Sequence, residues 1–126
     1  MALFKEGIGL PLLLNGLPDT TTPPSEWFSR PSPAQAASIS PLAQIRQGAY
    51  DTPTFIIHGT GDQIAPFAGA ESFVVELRER GIRHGFLPLE GLDHIHDLRL
   101  RPESEEWNTQ VGPGYQFLFD VVRGHA

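Results

Sequence analysis

The sequence predicts an α/β chain: a βαβα unit preceded by a helical, Pro-rich segment. Three observations carry this. Thr54-Phe55-Ile56-Ile57 is a short β-rich run that is apolar without alternating, the pattern of a strand covered on both faces in a parallel sheet. Ala70, Phe73, Val74 and Leu77 then recur at i, i+3, i+4 and i+7, the stripe of an amphipathic helix. Gly85-Phe86-Leu87-Pro88-Leu89 follows as a second strand, and strand–helix–strand in this compass is a βαβ unit.

Taken in order, the elements have local causes. A helix is expected over residues 3–15 and another over 41–48, the second started by Ser40 as N-cap and Pro41 at the first helical position. Leu42, Ile45 and Ala49 would form its apolar side. Between them, Thr20-Thr21-Thr22-Pro23-Pro24 and Arg30-Pro31-Ser32-Pro33 interrupt regular structure, because a residue before proline is pushed to extended conformations. The first strand is closed by Gly59 and Gly61. The helix predicted over 67–80 stops at Gly81, a residue free to adopt the left-handed turn that ends helices. A last helix is predicted over 113–123, with Tyr115, Leu118, Phe119 and Val122 as its apolar stripe. Glu103-Ser104-Glu105-Glu106 reads as a solvated helix start.

Composition narrows the class. The chain has 126 residues, which is the size of one domain, with 1–50 as the irregular N-terminal segment and 51–126 as the core. Net charge is −6, which disfavours nucleic-acid binding. There is no cysteine, so disulfides, cysteine zinc sites and thiol nucleophiles are excluded. The apolar run 8–17 is too short for a membrane, where a spanning helix needs ~20 residues, and Pro11 interrupts it. Lys5 is followed by Glu6 and no small-x-small cleavage site follows closely, so no signal peptide is read and cytoplasm is the default expectation.

Two motifs carry candidate chemistry. His58-Gly59-Thr60-Gly61-Asp62-Gln63-Ile64-Ala65-Pro66 follows the first strand, and Gly91-Leu92-Asp93-His94-Ile95-His96-Asp97 follows the second. Loops beyond the carboxyl ends of parallel strands are where open α/β sheets place their sites. Asp62 and His94 can therefore meet, and an imidazole held against a carboxylate is a competent general base or acid. The other reading of Asp62 is an Asx-type turn, and of His94 a histidine without a duty. His58, at the strand end, reads as a packing residue of the turn. Asp93-His94-x-His96-Asp97 also admits a metal reading, since His-x-His on an extended segment points both rings to one face; no metal and no cofactor are expected. Trp27, Phe28 and Trp107 are candidates to line an apolar substrate pocket, or else ordinary core or rim aromatics.

The order strand, His-Gly-Thr-Gly-Asp-x-x-x-Pro, helix, strand, Gly-x-x-His resembles the C-terminal third of an α/β-hydrolase over residues 38–123. In that family the acid follows the seventh strand and the histidine the eighth, which implies Asp62 and His94 in those roles. Ser40-Pro41-Leu42, Tyr50-x-Thr52-Pro53-Thr54-Phe55 and Gly114-Tyr115-x-Phe117-Leu118 are similar to hydrolase domains attached to fungal polyketide synthases. The family's nucleophile stands in a Gly-x-Ser-x-Gly elbow ahead of the acid. None of Ser25, Ser29, Ser32, Ser38, Ser40, Ser72 or Ser104 stands in one, and the elbow would fall before this chain begins.

The resemblance thus implies a truncated, hydrolase-like fold lacking the nucleophile half. Two parallel strands need their free edge covered, by the N-terminal fifty residues, by a second copy or by a partner chain; a homodimer is the favoured expectation. Three functions remain open. The favoured one is a serine-less enzyme using His94 and Asp62 for cyclisation, isomerisation, dehydration or hydrolysis of a carbonyl-rich, polyketide-like small molecule. The alternatives are a non-catalytic binding or scaffold remnant, and one half of a split serine hydrolase.

Overall fold

The computed structural model describes Pro23 and residues 32–124. The chain divides between Tyr50 and Asp51 into two compact units. The helix predicted over 3–15 and the aromatic residues Trp27 and Phe28 lie outside the described residues.

The first unit contains α1 (Pro33–Ile39) and α2 (Pro41–Arg46). Helix α1 is not predicted from the sequence, where the prolines read as interruptions. Ser32 supplies a capping box instead. Its Oγ accepts from the Gln35 N–H at 3.2 Å, while Gln35 Oε1 accepts from the Ser32 N–H at 2.9 Å. Pro33 then sits where a helix has no N–H to lose. Ser40 starts α2 as predicted, its Oγ accepting from the Ala43 N–H at 3.3 Å with Pro41 at the first position. Ile45 is fully buried. Ala49, expected on the same stripe, lies past the helix end at Arg46. Gln44 ties the two helices by donating to the carbonyls of Ala37 and Ser38, both at 3.2 Å.

The second unit contains β1 (Thr54–Gly59), α3 (Phe67–Glu79), β2 (His84–Leu89), a one-turn 3-10 helix (His96–Arg99), α4 (Glu105–Gln110) and α5 (Gly112–Val122). The two strands pair in parallel, in register from Thr54 opposite His84 to Gly59 opposite Leu89. This is the mixed α/β unit the pattern predicts. Side chains alternate across β1. Phe55 meets Phe117 of α5, ring centroids 5.4 Å apart, and Ile57 abuts Gly114. His58, on the other face, meets the edge of Phe67 of α3, which stacks on Phe86 of β2.

Helix α3 buries Val74 and Leu77 of the predicted stripe. It ends as Gly81 predicts. Gly81 has φ +66°, its N–H donates to Arg78, and the Ile82 N–H reaches back to the Leu77 carbonyl at 2.9 Å. Ser104 caps α4, its Oγ accepting from the Trp107 N–H at 3.1 Å.

Helix α5 corrects an expectation. Tyr115, Leu118, Phe119 and Val122, predicted as its apolar stripe, are all exposed. The face against β1 is instead Gly114 and Phe117. Lacking a Cβ, Gly114 lets the helix backbone come close to Ile57, and Phe117, three residues on, reaches Phe55. Among the described residues no helix is long and apolar enough to cross a membrane.

Candidate active site

Because β1 and β2 are parallel and end in register, the loops that follow them leave the sheet side by side. The segments are clasped together. The Thr60 N–H continues the ladder to the Leu89 carbonyl at 2.9 Å, and the Gly61 N–H donates to the Leu92 carbonyl at 3.1 Å. Thr60 Oγ1 accepts from the Gly91 N–H at 2.8 Å. This approach requires glycine. A Cβ on Gly59 would collide with the Leu92 carbonyl, and one on Gly61 would come within 2.8 Å of the Gly91 carbonyl oxygen. Gly91, at φ +70°, makes the turn that sends the second loop back over the first.

The clasp brings Asp62 to His94. Asp62 is buried, 8% exposed. Its two carboxylate oxygens divide their work. Oδ1 accepts from the Ile64 and Ala65 N–H groups, both at 2.8 Å, and Oδ2 accepts from His94 Nδ1 at 2.8 Å. The turn-forming and histidine-holding readings of Asp62 are therefore both present, on different oxygens. Burial pushes its pKa up. Together, the hydrogen bond from His94, those from the Ala65 and Ile64 N–H groups and the charge of His94 outweigh this and hold the carboxyl down at about 2. A carboxylate only accepts, so Nδ1 of His94 carries the proton. On a neutral ring the lone pair is then at Nε2. The His94 side chain is 39% exposed, and its partner carboxylate lies beneath it. A half-exposed imidazole with a fixed tautomer and an ionised carboxylate behind it can take a proton at Nε2 and return it.

His58 lies under the same carboxylate. Its Nε2 donates to the Ala65 carbonyl at 2.9 Å and stands 3.3 Å from Asp62 Oδ2. The sequence pattern assigned it only packing. Thr60, whose hydroxyl joins the two loops, goes unnoticed in the sequence as well; its place between Gly59 and Gly61 was the available signal.

The segment carrying the metal reading is not extended. Ile95 has ψ 26° and the 3-10 helix begins at His96, so the chain turns between the two histidines. His96 Nδ1 donates to the Asp93 carbonyl at 3.2 Å, and Asp93 pairs with Arg99 at 2.6 Å. Among the described residues no group of three or more histidines and carboxylates is placed to hold a metal ion.

Trp107 stacks on Tyr115, centroids 5.4 Å apart, and lines an open groove of about 570 Å³ with Asn108, Gly112, Pro113 and Phe119. A smaller apolar cavity of about 220 Å³ lies between β1 and α5, lined by Phe55, Ile57, Gly114 and Leu118.

Comparison with known proteins finds similarity to a short region of polyketide synthases. It is 50% identical over 116 residues to the non-reducing polyketide synthase Preu6 of Preussia isomera, covering 92% of this chain and 5% of that one. It is 47% identical over 118 residues to the non-reducing polyketide synthase ascC of Acremonium egyptiacum, covering 94% and 5%. With the 5-methylorsellinic acid synthase of Aspergillus terreus it shares 36% identity over 119 residues, covering 86% and 5%. The chain thus spans about 5% of the length of the curated relatives it matches and is homologous to a short region of fungal non-reducing polyketide synthases. No family model and no solved structure matches it.

Proposed function

We propose that this chain carries the acid–base element of an acyl-transfer site in polyketide biosynthesis. His94 is the general base and acid, and Asp62 orients it and stabilises its protonated form. The observation that carries the reading is the 2.8 Å hydrogen bond from His94 Nδ1 to a buried carboxylate whose other oxygen is already held by two backbone N–H groups. The pair lies at the carboxyl ends of parallel strands, where the resemblance to α/β-hydrolases puts an acid and a histidine. In this role Nε2 takes the proton of an attacking hydroxyl as it adds to a thioester or ester carbonyl, then delivers it to the leaving group. The relatives support a polyketide acyl chain as the substrate class.

Two sources of the hydroxyl are distinguishable. The described serines are engaged locally: Ser32, Ser40 and Ser104 cap helices, while Ser38 and Ser72 donate to carbonyls of their own helices. This favours water or a substrate hydroxyl within the chain itself. The small share of the relatives that the chain spans favours a serine contributed from outside these 126 residues.

The test is hydrolysis of p-nitrophenyl acetate and of an acetyl N-acetylcysteamine thioester by the 126-residue chain. Activity above buffer that falls to the buffer rate in His94→Ala, and about a hundredfold in Asp62→Asn, is the expected result for a self-sufficient site. If the chain is inactive, the same two variants are placed in a full-length synthase that contains this segment, where loss of product release is expected. Unchanged activity of folded His94→Ala in both settings overturns the reading.

A further inference from the structure

Two imidazoles converge on Asp62 Oδ2, and they differ in exposure. His94 approaches from the outside at 2.8 Å with 39% of its side chain exposed; His58 approaches from beneath at 3.3 Å with 16% exposed. His58 Nε2 also stands 2.9 Å from the Ala65 carbonyl oxygen. A carbonyl can only accept, so Nε2 of His58 carries a proton and donates it to Ala65, with Asp62 Oδ2 3.3 Å from the same nitrogen. Ala65 in turn donates its N–H to Asp62 Oδ1 at 2.8 Å. The three residues therefore form a relay: His58 donates to the Ala65 carbonyl, and the Ala65 N–H donates to Asp62.

We infer that His58 is a positioning residue for the Asp62–His94 pair. It anchors the far end of the Asp62 loop through the Ala65 carbonyl and sets its ring nitrogen 3.3 Å from the oxygen that holds His94. The inference rests on the reading of Asp62–His94 as an acid–base pair and deepens it. His58 is suited to this because it is itself held. It belongs to β1, opposite Pro88 of β2, and its ring meets the edge of Phe67 at 5.7 Å and 66°. A strand residue is a firmer support than a loop residue, and a side chain fixed on one face by an aromatic ring has little freedom to release the Ala65 carbonyl. With Oδ1 held by two backbone groups, one of them on the residue whose carbonyl His58 holds, the carboxylate has little freedom to rotate, so the direction of the His94 ring is set from below. The outer imidazole is left to react and the inner one to aim it. A packing residue would be replaceable by any ring of similar size; a positioning residue is not.

The experiment is NMR of the 126-residue chain labelled with 15N-histidine, in wild type, His58→Phe, His58→Gln and Asp62→Asn. In the wild type, His58 is expected as the Nε2–H form, and His94 is expected to show a low-field Nδ1 proton that disappears in Asp62→Asn. His58→Phe keeps a ring against Phe67 but removes the donor. The His94 proton should then exchange with water about tenfold faster, the factor expected for losing one supporting hydrogen bond. His58→Gln, which restores an N–H donor, should recover most of that protection. A His94 proton present in the wild type and unchanged in His58→Phe overturns the positioning role while leaving the pair intact. Absence of the His94 proton in the wild type overturns the pair itself. If His58→Phe does not fold, the wild-type tautomer decides: a His58 Nε2 without a proton overturns the inference, and a protonated Nε2 supports it.

Discussion

The Leu92 carbonyl occupies the space that a Cβ on Gly59 would need. Gly59 is the last residue of β1, and Leu92 precedes His94 by two residues, so the width of one glycine decides whether the second loop can lie over the first. Gly59 has no positive φ, so the requirement is one of space alone. Gly59→Ala is expected to lower stability by about 1–3 kcal/mol, the usual cost of forcing a methyl into packed backbone. It should also abolish the His94–Asp62 hydrogen bond. Urea denaturation measures the first effect and loss of the His94 Nδ1 proton signal the second.

Gly69 provides the opposite case. It lies within α3, a Cβ there meets nothing within 4 Å, and its φ is not positive. Glycine inside a helix loses more backbone freedom on folding than alanine does. Gly69→Ala should therefore stabilise the chain by about 0.5–1 kcal/mol. A rise in the urea midpoint at unchanged slope is the confirming measurement, and a fall would mean that α3 is shaped differently at this turn.

Asp62 makes stability depend on acid. Its pKa is held at about 2 in the folded chain against an ordinary 3.8. A carboxyl whose pKa is depressed on folding contributes stability that is fully present above its unfolded value and is lost as pH falls through its folded value. The window for this contribution is therefore from just above pH 3.8 down to about pH 2. Wild type minus Asp62→Asn should show a stability difference that is constant at higher pH, shrinks through that window and has largely gone near its lower end. A difference that does not change between pH 5 and pH 2 would mean that the carboxylate is not held as described.

The pair was legible in the sequence because parallel topology converts a separation in the chain into adjacency. Once two strands were read from Thr54-Phe55-Ile56-Ile57 and Gly85–Leu89, the loops after them had to emerge together, with Asp62 in the first and His94, among Asp93, His96 and Asp97, in the second. Helix α1 was not legible because Pro33 looks the same to a pattern whether it breaks a helix or begins one; the deciding fact is the Ser32–Gln35 capping box. The packing of His58 was legible, but its hydrogen bond to Ala65 was not, for a related cause. That bond depends on a carbonyl seven residues on, and a loop must fold before that carbonyl has a position.

The misassigned face of α5 is the most instructive difference, and it can be tested directly. Helical periodicity finds an apolar stripe but does not say what covers it. In α5 two sides compete: Phe119 and Val122 on one, Gly114 and Phe117 on the other, with Tyr115 and Leu118 between them at the cavity against β1. The second side wins against β1 because Gly114 permits close approach and Phe117 has specific ring partners. Phe117 lies 5.4 Å from the Phe55 ring centroid, and the Arg83 guanidinium carbon stands 5.4 Å from its own. Phe117→Ala removes both contacts and should destabilise by about 2–4 kcal/mol. Val122 is 85% exposed, so Val122→Ala should change stability by no more than about 0.5 kcal/mol. Parallel urea titrations of the two variants separate the faces. If Val122→Ala costs as much as Phe117→Ala, the stripe predicted from periodicity is covered in the protein as it exists in solution. The packing of α5 on β1 would then be only one of two interfaces that the helix makes.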